Sequence, residues 1–155
     1  MKSKILIITL ILLATSNCGF NIVNQNYLKE YKFSEVNIIG EKRVSYLLRN
    51  KLKIANENAS KSIKLNIATK KSKLIKEKNI QNEITKHEII ISAEIDFNVI
   101  ENDNSGKLFI SKSGVYNVGN KYSETLNSEK KLIKNLINDI SKQILKNLQI
   151  NLNEL

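Results

Sequence analysis

From His87 to Glu101 apolar and polar residues alternate. Ile91, Ala93, Ile95, Phe97 and Val99 form one set; Ser92, Glu94, Asp96 and Asn98 form the other. Successive side chains on an extended strand point to opposite faces, so this stretch reads as a strand with one buried and one wet face. A lone strand of this kind is not stable. It needs neighbours for its backbone and a second layer over its apolar face. Ser62 to Thr69 supplies one neighbour, with Ile63, Leu65 and Ile67 against Lys64, Asn66 and Ala68. Lys107 to Val118 supplies another, returning after the turn residues Asn102-Asp103-Asn104-Ser105-Gly106. Its alternation falters at Ser113-Gly114, where a bulge is expected. Ser34 to Ile39, ended by Gly40, reads as the first strand of the chain.

The covering layer is helical. Val44, Leu47, Leu48 and Leu52 recur at helical spacing from about Glu41, and Asn56 to Ser60 reads as a loop. A long helix begins near Ser123 or Ser128. Leu132, Ile133, Leu136, Ile137, Ile140, Ile144, Leu145 and Leu148 form one continuous stripe along it. The order is β-α-β-β-β-α. The predicted fold is an α+β two-layer sandwich, with a four-stranded mixed sheet and two helices packed on one face. The other face is expected to be polar. Lys70 to Asn82 is expected to be a basic connection, with Lys70, Lys71, Lys73, Lys76 and Lys78 against Glu77 alone.

Upstream of this domain lies a different kind of sequence. Lys2 and Lys4 precede the aliphatic run Ile5 to Ala14, then come Thr15, Ser16, Asn17 and Cys18. A basic start, an apolar core and a zone of short residues make the layout of a secretory signal peptide. The apolar run is about half of the roughly 20 residues that a membrane-crossing helix needs. A lone cysteine directly after such a segment is the acceptor position of bacterial lipoprotein processing, so Cys18 is the expected lipidation site. Ser16 fits the usual lipobox, whereas Thr15 and Asn17 depart from its Leu and Gly/Ala. The predicted division is therefore a signal peptide at 1–17, a lipid-anchored tether at 18–33 and a single domain at 34–155. Cleavage leaves 138 residues, enough for a real core, and lowers the formal charge from +10 to +8. Basic exported domains meet anionic partners, although a chain rich in Lys, Asn and Ile also carries the bias of AT-rich codons. With one cysteine there is no internal disulfide.

Catalytic chemistry is not expected. His87 has no second histidine or nearby cysteine with which to bind a metal. Glu94 and Asp96 share a strand face but alternate with Ser92 and Asn98 in a solvated pattern. There is no nucleophile elbow or phosphate-binding glycine loop, and neither cofactor nor metal is expected. The lysine run could contact phosphates or stand as a solvated surface. It lacks the interleaved aromatics of a nucleic-acid platform.

Cys18-Gly19-Phe20, the β-α-β-β-β-α order, the hairpin from Glu88 to Ile100 and back through Lys107, and the Val115-Tyr116-Asn117-Val118 stretch before a long helix resemble the LPS-assembly lipoprotein LptE (RlpB) family. The resemblance implies a non-catalytic lipoprotein on the periplasmic face of the outer membrane. Such a protein plugs an LptD-type β-barrel and helps deliver lipopolysaccharide, with no nucleic-acid partner. Gly19 after the cysteine agrees with outer-membrane sorting. Charge and placement nominate Lys70, Lys71 and Lys73 for lipopolysaccharide contact. A different envelope accessory, such as a transporter auxiliary or secretin pilot, and a basic nucleic-acid-binding domain remain as alternatives.

Overall fold

The computed structural model describes residues 28, 30–52 and 59–153. Cys18, the signal segment and most of the tether lie outside the described residues. The elements are β1 (Tyr31–Gly40), α1 (Lys42–Leu52), β2 (Lys61–Lys78), β3 (Ile84–Val99), β4 (Asn104–Asn117) and α2 (Tyr122–Asn153). The four strands form one sheet in sequence order. β1 and β2 pair in parallel, joined through α1, and the other two pairings are antiparallel hairpins. Both helices lie over the same face, giving the predicted two-layer α+β arrangement.

The apolar sets meet between the layers. Ile63, Leu65 and Ile67 of β2 lie beside Ile91, Ala93, Ile95, Phe97 and Val99 of β3, all at most 4% exposed. Val44, Leu48 and Leu52 of α1 and Ile133, Ile137, Ile140, Ile144 and Leu148 of α2 close over them. Fully burying each large aliphatic side chain contributes about 1.5–3 kcal/mol, so this interior is the main source of stability.

The structure corrects the sequence reading in four places. The lysine-rich stretch is not a connection: β2 continues to Lys78, paired with β3, and only Asn79 to Glu83 turns the chain. β1 begins at Tyr31, inside the residues assigned to the tether. β4 begins at Asn104, so Gly106 lies in the strand opposite Phe97, whose ring occupies the place where a Cβ would stand. The expected bulge at Ser113-Gly114 is absent, because these residues pair in unbroken register with Ile90 and Ile89. Gly114 is needed there for another reason. A Cβ on it would come within 2.6 Å of Leu132 Cδ1 on α2, so its bare backbone lets the helix approach.

Gly40 controls how the chain leaves the sheet. Its φ of 125° falls where side-chain-bearing residues are strained, and a Cβ would stand 2.1 Å from the Thr69 carbonyl oxygen. Thr69 Oγ1 donates to the Ile39 carbonyl at 3.1 Å, and the Glu41 side chain then caps α1 by accepting from Val44 N–H at 2.9 Å. One residue thus turns an edge strand into the helical layer. Gly40→Ala should cost about 2–4 kcal/mol in urea unfolding at unchanged slope. A loss under about 0.5 kcal/mol would show that this turn tolerates a side chain.

Candidate functional site

Two surfaces remain once the core is assigned. The first is the far end of β2 and β3, beyond the reach of β1. The nominated lysines sit there, but alternation separates them. Lys71 and Lys73 pair with Ile91 and Ile89 on the helix side, whereas Lys70 pairs with Ser92 on the open side. Lys73 is not available as a free cation. Its Nζ lies 2.8 Å from Glu129 Oε2 of α2 and 5.4 Å from the centre of the Tyr116 ring. Tyr116 Oη donates to the same carboxylate oxygen at 2.8 Å, and His87 stacks on Tyr116 with ring centres 5.6 Å apart. Lys71 lies 4.0 Å from Glu41. Lys73 therefore ties the strand to the helix, and Lys70 alone of the three points into the open side.

The electrostatics of that knot follow from its partial burial. Burial pushes the Glu129 carboxyl up, but the hydrogen bonds from Lys73 and Tyr116 outweigh it and hold the group below the usual carboxylate range. The Glu129 hydrogen bond, with that of Tyr116, raises the Lys73 ammonium. Burial raises the Tyr116 phenol, opposed by Lys73 and supported by Glu129. His87 Nδ1 lies 3.3 Å from the Leu74 carbonyl oxygen, which accepts, so this ring packs and donates within the fold.

The second surface is the open face of the sheet. Pairing aligns Ile39, Ala68, Glu94 and Phe109 in one row, and Asn37, Asn66, Asp96 and Lys107 in the next. Ala68 leaves a low floor between two raised apolar side chains, Ile39 at 70% and Phe109 at 66% exposure. The resulting shallow cavity encloses about 510 Å³. Asp96 is paired with Lys107 at 3.3 Å. The face was expected to be polar, and Ile39 and Phe109 here, with Leu74 and Val115 in a row further along, are exceptions. Their outward direction was readable: Ile39 follows the inward Ile38, and Phe109 precedes the inward Ile110. No group of three His, Cys, Asp or Glu side chains fit for a metal occurs among the described residues. Amides, the Glu94 carboxylate, the Asp96–Lys107 pair and apolar walls suit contact with another molecule.

No protein-family model matches the sequence, and a search of curated proteins returns no match. Solved structures do match. The crystal structure of the rare lipoprotein B of Shewanella oneidensis superposes with a TM-score of 0.55 at 13% identity, covering 77% of this chain and 98% of that one. The solution structure of an uncharacterised lipoprotein B from Nitrosomonas europaea gives 0.54 at 17% identity, covering 79% and 86%. This chain has the lipoprotein B fold. At these identities the likeness is one of architecture, and no site residue is transferred by it.

The Lys73–Glu129–Tyr116 knot makes a testable claim. A carboxyl lowered on folding contributes stability that is complete above its ordinary range and is lost as pH falls through the lowered value. Glu129→Gln should destabilise the protein by about 1–2 kcal/mol at neutral pH, a deficit that narrows as the pH is taken down to about 3. Chemical unfolding of both proteins across that range checks it. A deficit independent of pH would mean that Glu129 acts through packing alone.

Proposed function

We propose that this chain is an outer-membrane lipoprotein of the lipoprotein B (LptE) type. It is lipidated at Cys18, and its domain seats in an LptD-type β-barrel, assisting barrel assembly and delivery of lipopolysaccharide to the outer leaflet. The observation that carries the reading is the pairing of two independent features. The domain shares the lipoprotein B fold over nearly the whole length of the Shewanella protein, and the sequence ahead of it has the layout of a lipoprotein leader ending at Cys18. The open face supports it further. A rigid sheet with Asn37, Asn66, Asp96 and Lys107 outward, and Ile39 and Phe109 as apolar anchors, fits the polar wall of a barrel lumen.

No step of this role requires catalysis. The tether raises the effective concentration of the domain at its partner, and the sheet supplies the contact. Lysine acts on phosphate as a mobile point charge. Of the three nominated residues, Lys70 is the one placed to make such a contact with the glycolipid without giving up a bond of the fold. Lys73 is held by Glu129.

A C-terminally tagged chain purified from detergent-solubilised outer membranes should bring down a large β-barrel protein in stoichiometric amount. Cys18→Ser should move the protein out of the membrane fraction and reduce barrel recovery at least tenfold, by loss of effective concentration (on the order of millimolar for a short tether). Recovery of a transporter or a secretin instead would overturn the barrel assignment while keeping the anchor. Retention in the cytosol would overturn both.

A further inference from the structure

β1 and β2 run side by side only as far as Gly40 and Thr69. β2 then continues to Lys78 along β3, with no strand on its other side among the described residues. Bonds further back show which backbone groups face that open side. Lys61 N–H donates to the Glu30 carbonyl at 2.9 Å, and the Ile63 carbonyl accepts from Ser34 Oγ at 3.3 Å, so odd-numbered residues of β2 turn toward β1. The Ser62 carbonyl accepts from Ile100 N–H at 3.0 Å, and the Leu74 carbonyl lies 3.3 Å from His87 Nδ1, so even-numbered residues turn toward β3. Strand alternation carries the rule forward. Lys71, Lys73 and Ile75 present both N–H and C=O to the open side, up to the irregularity between Ile75 and Glu77. No backbone partner meets them there among the described residues.

We infer that this edge receives an extended acidic segment of another protein, which adds as a fifth strand in the lane that β1 leaves at Gly40. Strand addition takes its affinity from main-chain hydrogen bonds and its selectivity from the flanking side chains. Residues 70–78 carry five lysines against one glutamate. Lysines on an edge deter pairing with an identical edge, because like charges would oppose one another, so a second copy of this chain is the wrong occupant. The same charges attract a strand bearing carboxylates. Glu129 and Glu88 already engage Lys73 and Lys76, which leaves Lys70, the loosely held Lys71, and Lys78, whose Nζ donates to the neutral Asn82 Oδ1 at 2.9 Å, to meet the incoming acids. Leu74 and Ile75, 50% and 54% exposed on opposite faces, offer contacts to the alternate apolar residues of such a strand. The inference stands on the edge itself and does not require the lipid anchor.

The test is amide hydrogen exchange, read by NMR, on the full-length protein with and without a peptide of about eight residues alternating Val and Glu. The amides of Lys71, Lys73 and Ile75 should slow at least tenfold on binding, by about 1.4 kcal/mol of added protection, while those of Ser72 and Leu74 stay as slow as before. Lys70→Glu combined with Lys78→Glu should weaken the peptide about tenfold and leave the fold intact, since both side chains are exposed. A Val–Lys peptide should not bind. Three results would overturn the inference. The peptide could bind without slowing those three amides, which would reduce the edge to a charge patch. The amides could be slow before any peptide is added, which would mean that the chain covers its own edge. The peptide could fail to bind at all. A tagged purification that recovers no barrel leaves each of these results unaffected.

Discussion

The aliphatic rows on one face of β2 and β3 are what the rest of the molecule is fitted to. Ile63, Leu65 and Ile67 are interleaved with Ile91, Ala93 and Ile95, all at most 1% exposed. Two helices are recruited to cover them, and those helices use up one side of the sheet. The opposite side is then left to solvent or to another molecule. The sidedness of the protein, with core under helices and bare sheet on the other side, follows from this one alternation. Its cost to disturb is high, since removing a buried Ile or Leu side chain leaves a cavity worth about 2–5 kcal/mol.

The second determinant is a mismatch of lengths. β1 has 10 residues and β2 has 18, so the sheet is four strands wide at one end and three at the other. Gly40 marks the point where β1 peels away, and α1 begins at once over the core. Beyond that point β2 is held by β3 alone, and the fold compensates from the helical layer. Lys73 reaches Glu129 of α2, Tyr116 of β4 joins the same carboxylate, and His87 stacks behind. At the narrow end these polar contacts add to the burial of Ile89 and Ile91, whereas the wide end rests on aliphatic burial.

The difference between these two ends explains what the sequence disclosed. Where one face is buried and the other wet, as in β3, the period of two is plain and the strand was legible almost to its ends. Where both faces are wet, as in β2 from Lys70 to Lys78, nothing enforces the alternation, and a lysine-rich strand looks like a loop. A signal was present nonetheless. β3 extends to Ile84, and a 16-residue strand needs a partner longer than Ser62 to Thr69 could provide. Gly106 and Gly114 misled for a related reason. Each was read through backbone habit, as turn and bulge, whereas each is required by a side chain across the fold, Phe97 or Leu132, that sequence order does not place nearby. The three nominated lysines were close in the chain but divided between two faces, and the knot that claims Lys73 depends on Glu129, 56 residues away.

A domain of this design presents one open sheet face. The most direct measurement is site-specific photo-cross-linking in living cells, with the photoreactive residue in place of Phe109 on the open face. If the domain seats in an outer-membrane barrel, position 109 should give one discrete adduct with a large outer-membrane protein. The absence of that adduct in a protein that is expressed and folded, or adducts with cytosolic or inner-membrane proteins alone, would contradict it.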